Sequence, residues 1–488
     1  MTIQASAYAC RRYQNHVLHT RNMLAHVILA ASVVAQQPNQ AVRQFVSVSD
    51  SVVALTNVRV VDGTGAPARD SQTIVMKGGV IQAVGGAGRV TVPAGARTMD
   101  LAGRTVMPGY VMLHEHLFYP SGGGAVYNEQ GYSFPRLYLA GGVTTMRTAG
   151  NMAGYADLNI KKAIDDGTML GPTIDVTAPY LERPGLPIPQ VKALRDAADA
   201  RTMVNYWAVE GATSFKAYMH ITRAELGAAI AEAHKRGLKV TGHLCSVTFR
   251  EAAALGIDNL EHGFLTASDF VRDKKPDECP PGGGVQQAFA ALSVTSASVR
   301  GLIDELVRRR VAITSTLTVF ETFSATQPSA PAKVLDAMLP EARRQYEQRR
   351  AAIQQNTDTT NNVLRKEMQL EKMFADAGGL LVVGTDPTGF GGVIAGYSNQ
   401  RALELLVQAG FSPLEAIRIA TSNGAKFLGR EAKIGTIAAG KQADLVVVRG
   451  NPALRIEDVE NVEIVFKRGI GYDSAKIFES VKGRVGLH

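Results

Sequence analysis

Gly109-Tyr110-Val111-Met112-Leu113-His114-Glu115-His116 is an apolar run that ends in two histidines one residue apart. Successive side chains of a strand point to opposite faces, so His114 and His116 project to one side and can share a metal ion. Glu115 faces away by the same alternation and reads as structural. A half-buried strand that merely ends in polar residues is the bland alternative for so short a pattern. The rest of the chain has to decide.

From about Pro108 to Gly429 apolar segments alternate with helical ones. Strands are predicted at Tyr110–His116, Val143–Thr148, Thr173–Thr177, Thr213–Ala217, Lys239–His243, Asn259–His262, Val311–Thr316 and Leu380–Thr385. Eight strand–helix repeats predict an α/β fold, a (β/α)8 TIM barrel, over residues 108–430. An open doubly wound sheet is disfavoured because no Gly-x-Gly-x-x-Gly turn follows the first strand. Ser412-Pro413-Leu414-Glu415 is a capping box with proline at the first helical position. On either side the pattern changes to short strands with glycine turns, over 52–107 (Ala54–Val61, Gln72–Met76, Val80–Val84) and 431–488 (Asp444–Val448, Val462–Lys467). These two pieces are expected to build one small β-sandwich from both ends of the chain. The connections 264–298 and 340–371 exceed ordinary loop length and are read as lids over the barrel mouth or as disordered.

The composition is that of a soluble enzyme. Lys and Arg outnumber Asp and Glu by 52 to 44, but the excess is dispersed and forms no basic patch, which argues against a nucleic-acid partner. Arg11, Arg12 and Arg21 precede the apolar run Met23–Ala35, which closes on Val33-Val34-Ala35. This fits a cleaved export signal over residues 1–37 and a periplasmic or exported protein, with a frayed helix on a cytoplasmic protein as the alternative. The run is too short to span a bilayer, so no membrane partner is expected.

In a barrel the C-terminal strand ends converge on one face. His114 and His116 follow the first predicted strand, Lys216 the fourth, His243 the fifth, His262 the sixth and Asp386 the eighth. Chance is a poor explanation for this placement, and together the residues read as a metal site. Tyr218 and His220, just beyond Lys216, are placed either to touch a substrate or merely to pack the loop.

At these residues the chain resembles the binuclear branch of the amidohydrolase superfamily, near its imidazolonepropionase-related, prolidase-like and ochratoxinase-like members. The resemblance spans about residues 52–470. It rests on Pro108-Gly109-Tyr110 leading into His114-Glu115-His116, Gly211-Ala212-Thr213-Ser214-Phe215-Lys216, Val240-Thr241-Gly242-His243, Asn259-Leu260-Glu261-His262-Gly263, Gly384-Thr385-Asp386 and the closing Gly435-Thr436-Ile437-Ala438-Ala439-Gly440-Lys441-Gln442-Ala443-Asp444-Leu445. Arg147-Thr148 departs from the Arg-Asp that relatives commonly place after the second strand. The resemblance implies two divalent metals, zinc by expectation, bridged by an N-carboxylated Lys216. His114, His116 and Asp386 would hold one ion, and His243 and His262 the other. A shared water would be acidified to hydroxide, with Asp386 as general acid/base. The residual positive charge of such a site favours a small amide substrate carrying a carboxylate.

The activity so implied is hydrolysis of a dipeptide or N-acyl amino acid by a homo-oligomeric enzyme. Opening of a cyclic amide or lactone is the alternative. A non-enzymatic metal-binding protein is disfavoured because Asp386 supplies a base that storage does not need. Cys10 would leave with the leader, so Cys245 and Cys279 would remain. Two free thiols are the first expectation. Cys245 lies two residues beyond His243 and Cys279 in the insert after the sixth strand, so export would also permit a disulfide clamping that insert.

Overall fold

The computed structural model describes residues 39–486 apart from 122–125, 187, 356–359 and 390. The expected leader over residues 1–37 lies outside the described residues. Among them, no helix is long and apolar enough to cross a membrane.

All eight predicted strands of the middle segment are present: β1 Tyr110–Glu115, β2 Val143–Thr148, β3 Thr173–Asp175, β4 Ser214–Ala217, β5 Lys239–Gly242, β6 Asn259–Glu261, β7 Ala312–Ser315 and β8 Leu381–Val383. Most stop one or two residues earlier than predicted, which leaves His116, His243 and His262 just past the strand ends, while His114 and Lys216 lie within theirs. All neighbouring pairs are parallel. The pairing differs from the single closed ring expected: β1, β2 and β3 form a three-stranded sheet, and β4 to β8 a five-stranded one. Two isolated parallel bridges, Thr177 with Ser214 and Leu181 with Ala217, join the segment after β3 to β4. On the other side the amides of Thr385 and Asp386 both donate to the His114 carbonyl, each at 3.0 Å. β3 and β8 at these breaks are three residues long, as is the fully paired β6, so strand length alone does not open the ring.

β1 is buried at all six positions. Its two faces still differ, as strand alternation requires. Val111 and Leu113 pack with Ala425 and Phe427 of the closing helices. Glu115 continues that face, where the Thr385 hydroxyl and Asn399 Nδ2 donate to its carboxylate. Tyr110 and Met112 lie on the face that ends in His114.

The terminal pieces join in one nine-stranded sheet in the order 46–48, 470–473, 462–467, 445–449, 104–108, 52–60, 69–77 and 80–86, with 97–100 paired to 52–60. The contact between the two ends of the chain is antiparallel, with Val446 opposite Met107. Leu445 and Val447 enter the core of this sheet while Val446 and Val448 enter the large core of the strand–helix segment. Both faces are therefore covered, which explains the unbroken Leu-Val-Val-Val run.

Ser412 caps the predicted helix, realised as Pro413–Arg418, with the reciprocal Glu415 bond in place. The long connections are not bare loops. The first contains a helix at Gly284–Ala291, and the second is built from Pro340–Gln354 and Thr360–Asp376. Cys245 and Cys279 are bonded, with Cα atoms 4.9 Å apart, which corrects the expectation of two free thiols. The insert starts at the strand-end face where Cys245 sits, so the two backbones meet within disulfide reach.

Candidate metal centre

The strand ends bring the predicted residues together. His116 Nε2 lies 3.2 Å from Asp386 Oδ1, and His114 Nε2 lies 3.6 Å from the same oxygen. His262 Nδ1 is 3.6 Å from Asp386 Oδ2. Lys216 Nζ stands 3.3 Å from His114 Nε2. His243, half-buried, packs edge-on against His262 with ring centroids 4.4 Å apart. The donor atoms of His114, His116 and Asp386 lie within 4.8 Å of one another, as do those of His114, Glu261 and His262.

Two of these residues reach the cluster through unusual backbone. His262 (φ 68°) and Asp386 (φ 51°) occupy the left-handed region without being glycine. That conformation costs on the order of 1 kcal/mol or more and persists where surrounding structure enforces it, commonly at functional sites. Here it turns each side chain back inward just as its strand ends.

Burial sets the protonation states. Desolvation lowers His116 to about 4 and His243 to about 3, and holds His262 well below its ordinary value. All three imidazoles are thereby neutral at pH 7, with a lone pair free for a metal. Burial pushes Lys216 down as well, against the attraction of Glu261 and Asp386. Desolvation would raise Asp386, but His114, His116 and His262 overcome it and hold the carboxyl well below its usual range. Fixed partners orient the rings: His116 Nδ1 is 3.1 Å from the Gly150 carbonyl, and His262 Nδ1 is 2.9 Å from Thr316 Oγ1. His262 Nε2 is buried with no hydrogen-bond partner, an orphan that a metal would satisfy.

Tyr218 stands at the cluster, its ring 4.7 Å from that of His243. His220 is drawn to Glu182 instead: its amide donates to both carboxylate oxygens at 3.0 and 3.2 Å, and Nδ1 approaches Oε1 at 3.3 Å.

Glu261 was missed in the sequence. It is fully buried, with Oε2 2.6 Å from His114 Nδ1 and 3.0 Å from Lys216 Nζ, and Oε1 3.1 Å from Arg147 Nη2. The angles on the Oε2 side do not make hydrogen bonds, so proximity and charge carry those contacts. Arg147 also donates to the Leu113 carbonyl at 2.7 Å and to Thr241 Oγ1 at 2.6 Å, crossing between the two sheets. A signal was available: an acid in β6 and an arginine in β2, both in strands covered on two sides, have to find each other inside.

The description "Amidohydrolase family" fits residues 105–471. The chain belongs to the amidohydrolase family. Enamidase of Eubacterium barkeri is 37% identical over 86 residues, 18% of this chain and 22% of that protein. The chain thus spans less than a quarter of the length of the curated relatives it matches. A Xaa-Pro dipeptidase solved with methionine in its active site is 20% identical, with a TM-score of 0.65 over 87% of this chain and 100% of that one. Ochratoxinase of A. niger is 18% identical, with a TM-score of 0.60 over 87% of this chain and 96% of that one. At such identities these two structures speak for the fold.

Proposed function

We propose that this amidohydrolase is a binuclear, metal-dependent hydrolase that cleaves the amide bond of a dipeptide or N-acyl amino acid. The observation that carries the reading is the convergence of His114, His116, His262 and Asp386 into groups of metal-donor spacing, with burial holding His116 and His262 in the neutral form. His114, His116 and Asp386 would hold one ion, and His243 and His262 the other. Lys216, its amine pushed toward the neutral form that can take up carbon dioxide, would bridge them as a carbamate. Two divalent ions, zinc by preference, supply Lewis acidity and an acidified water when bound. Asp386 stays ionised among its histidines, accepts the proton from the attacking water and returns it to the leaving nitrogen. Tyr218 flanks the cluster for substrate contact, and His220 is positioned by Glu182 at the edge of the same loop. Within this reading the two parallel sheets are the halves of one barrel, joined at Thr177–Ser214 and at the His114 carbonyl. The Cys245–Cys279 bond supports an exported protein, since disulfides persist in oxidising compartments.

A panel of dipeptides, N-acyl amino acids, cyclic amides and lactones incubated with zinc-loaded protein tests the reaction. Release of a free amino acid from the linear substrates is expected, whereas turnover confined to the cyclic ones would reject it. Lys216→Ala is expected to bind less metal, and short carboxylic acids to restore part of the activity. Two metals retained by Lys216→Ala without additives, seen by native mass spectrometry, would exclude the bridge.

A further inference from the structure

A cavity of about 290 Å³ lies behind the short helix that follows β7. That helix, Leu317–Glu321, has two working sides. Phe320 turns toward His262, with centroids 6.0 Å apart, while Thr318, Glu321 and Thr322 line the cavity at the i, i+3, i+4 spacing of one helix face. Helices Pro340–Gln354 and Tyr397–Gln408 supply the other walls, through Arg350 and through Ser398, Arg401 and Glu404.

The lining carries charges of both signs, Arg350 and Arg401 against Glu321, Glu404 and Glu460. Arg350 is 3% exposed, yet among the described residues its terminal nitrogens donate only to main-chain carbonyls, of Thr322 at 3.1 Å and of Gln327, and Nε has no partner there. A buried guanidinium without a carboxylate is costly unless something else compensates it. Three carboxylates also line the cavity. Arg401 is already committed, forking onto Glu321 at 3.1 and 2.6 Å and reaching Glu404 at 2.6 Å. Burial still raises the Glu404 carboxyl against that pairing, and Glu460 and Glu457 add repulsion. Glu460 also lines the cavity and reaches Lys333 at 2.7 Å on the outside. The rest of the lining includes the apolar Pro331, Val334 and Val393, and Ser398 Oγ is buried with no hydrogen-bond partner among the described residues.

We infer that this cavity is a second ligand site, separate from the metal cluster, that takes a free α-amino acid with an apolar side chain. The carboxylate would pair with Arg350, for which a planar guanidinium is suited, and the ammonium would sit among Glu404 and Glu460. The side chain would lie against Val334 and Pro331. An anion alone would leave these carboxylates unrelieved, and a cation alone would leave Arg350 unpaired. The volume, at the lower end of roughly 300 to 1,000 Å³ for small-molecule sites, suits one amino acid. The inference rests on the cavity and not on the proposed reaction. If that reaction holds, its own product class would occupy a site one short helix away: Thr318 Oγ1 donates to the Thr385 carbonyl at 2.7 Å, next to Asp386.

Equilibrium dialysis of radiolabelled L-leucine against metal-loaded protein tests this, with Glu404→Gln, Arg350→Gln and the cavity-filling Val334→Phe alongside. Each variant is expected to lose one bound leucine per chain, or to bind it about tenfold more weakly, the scale of one charged hydrogen bond. Hydrolytic activity and thermal midpoint of Glu404→Gln should stay near wild type. 4-Methylpentanoate and 3-methylbutylamine, each carrying one of the two charges, should displace the label at least about tenfold less well than leucine. Wild type and Glu404→Gln binding leucine alike, or neither binding it, would overturn the site, as would equal displacement by the carboxylate alone. Loss of binding in the variants of a protein that hydrolyses nothing would reject the proposed reaction and leave the site standing.

Discussion

Glu261 organises the centre at the level of single atoms, because one carboxylate lies beside His114, Lys216 and Arg147 at once. Desolvation would raise it, but those three neighbours hold it well below the usual carboxylate range. Glu261→Gln removes the charge and leaves Arg147 buried without a counter-ion, so a loss of about 3 kcal/mol or more in unfolding free energy is expected by chemical denaturation. An unchanged midpoint would show that Arg147 is held by Leu113, Ser214 and Thr241 alone. Asp386→Asn is expected to retain most of its metal while turnover falls on the order of 10²-fold or more. Near-normal rates in the metallated variant would remove it as the base. The histidines and Asp386 were legible because each ends an apolar run. For Glu261 the sequence signalled only a buried pairing with Arg147; its place beside the histidines was hidden because alternation puts it opposite His262, and the positive φ at His262 brings both to one centre. A backbone reversal of that kind has no signature in a non-glycine residue.

At the scale of elements, β8 has to pass very close to β1 for Asp386 to reach the histidines. A Cβ at Gly384 would collide with the His114 backbone and its Cβ. Gly384→Ala is therefore expected to push the strands apart and cost both stability and metal affinity, read as a lower metal content per chain. A fully loaded Gly384→Ala protein would mean the strands tolerate the shift. Asp157, in the first turn of the helix Ala156–Asp165, is a second conflict of burial with charge. Both its oxygens lack hydrogen-bond partners and burial raises its carboxyl from 3.8 to about 8. A folded pKa above the unfolded one means its stabilisation is full below the unfolded value and is lost as pH rises through about 8. Asp157→Asn should thus gain stability over wild type progressively between pH 4 and 8.5, followed by thermal melts. A constant difference across that range would show that Asp157 does not titrate there. Strand positions were readable because parallel strands covered on both faces are continuous apolar runs. The helix Pro340–Gln354 was hidden because charged residues dominate it and only Tyr346 and Arg350 are buried.

For the molecule as a whole, the chain ends are brought together by the antiparallel pairing of Leu445–Arg449 with Arg104–Pro108, and the insert is tied down by Cys245–Cys279. The bridge closes a segment with a sequence separation of 34 residues. Cys245→Ser should therefore lose about 4 kcal/mol on the chain-entropy model, and mild reductant should lower the wild-type melting temperature but not that of the variant. Equal effects of reductant on both would deny the bond a structural role. The pairing of the two terminal pieces followed from their matching β pattern, whereas the break into two parallel sheets has no counterpart in the apolar pattern of the strands. The central claim is that two metals at these strand ends perform amide hydrolysis. Amino acid release by metal-free protein, measured against equivalents of zinc added back, tests it most directly. Activity should be absent at the start and rise to a plateau at two equivalents per chain. Activity that survives metal removal, or that is complete at one equivalent, would contradict it.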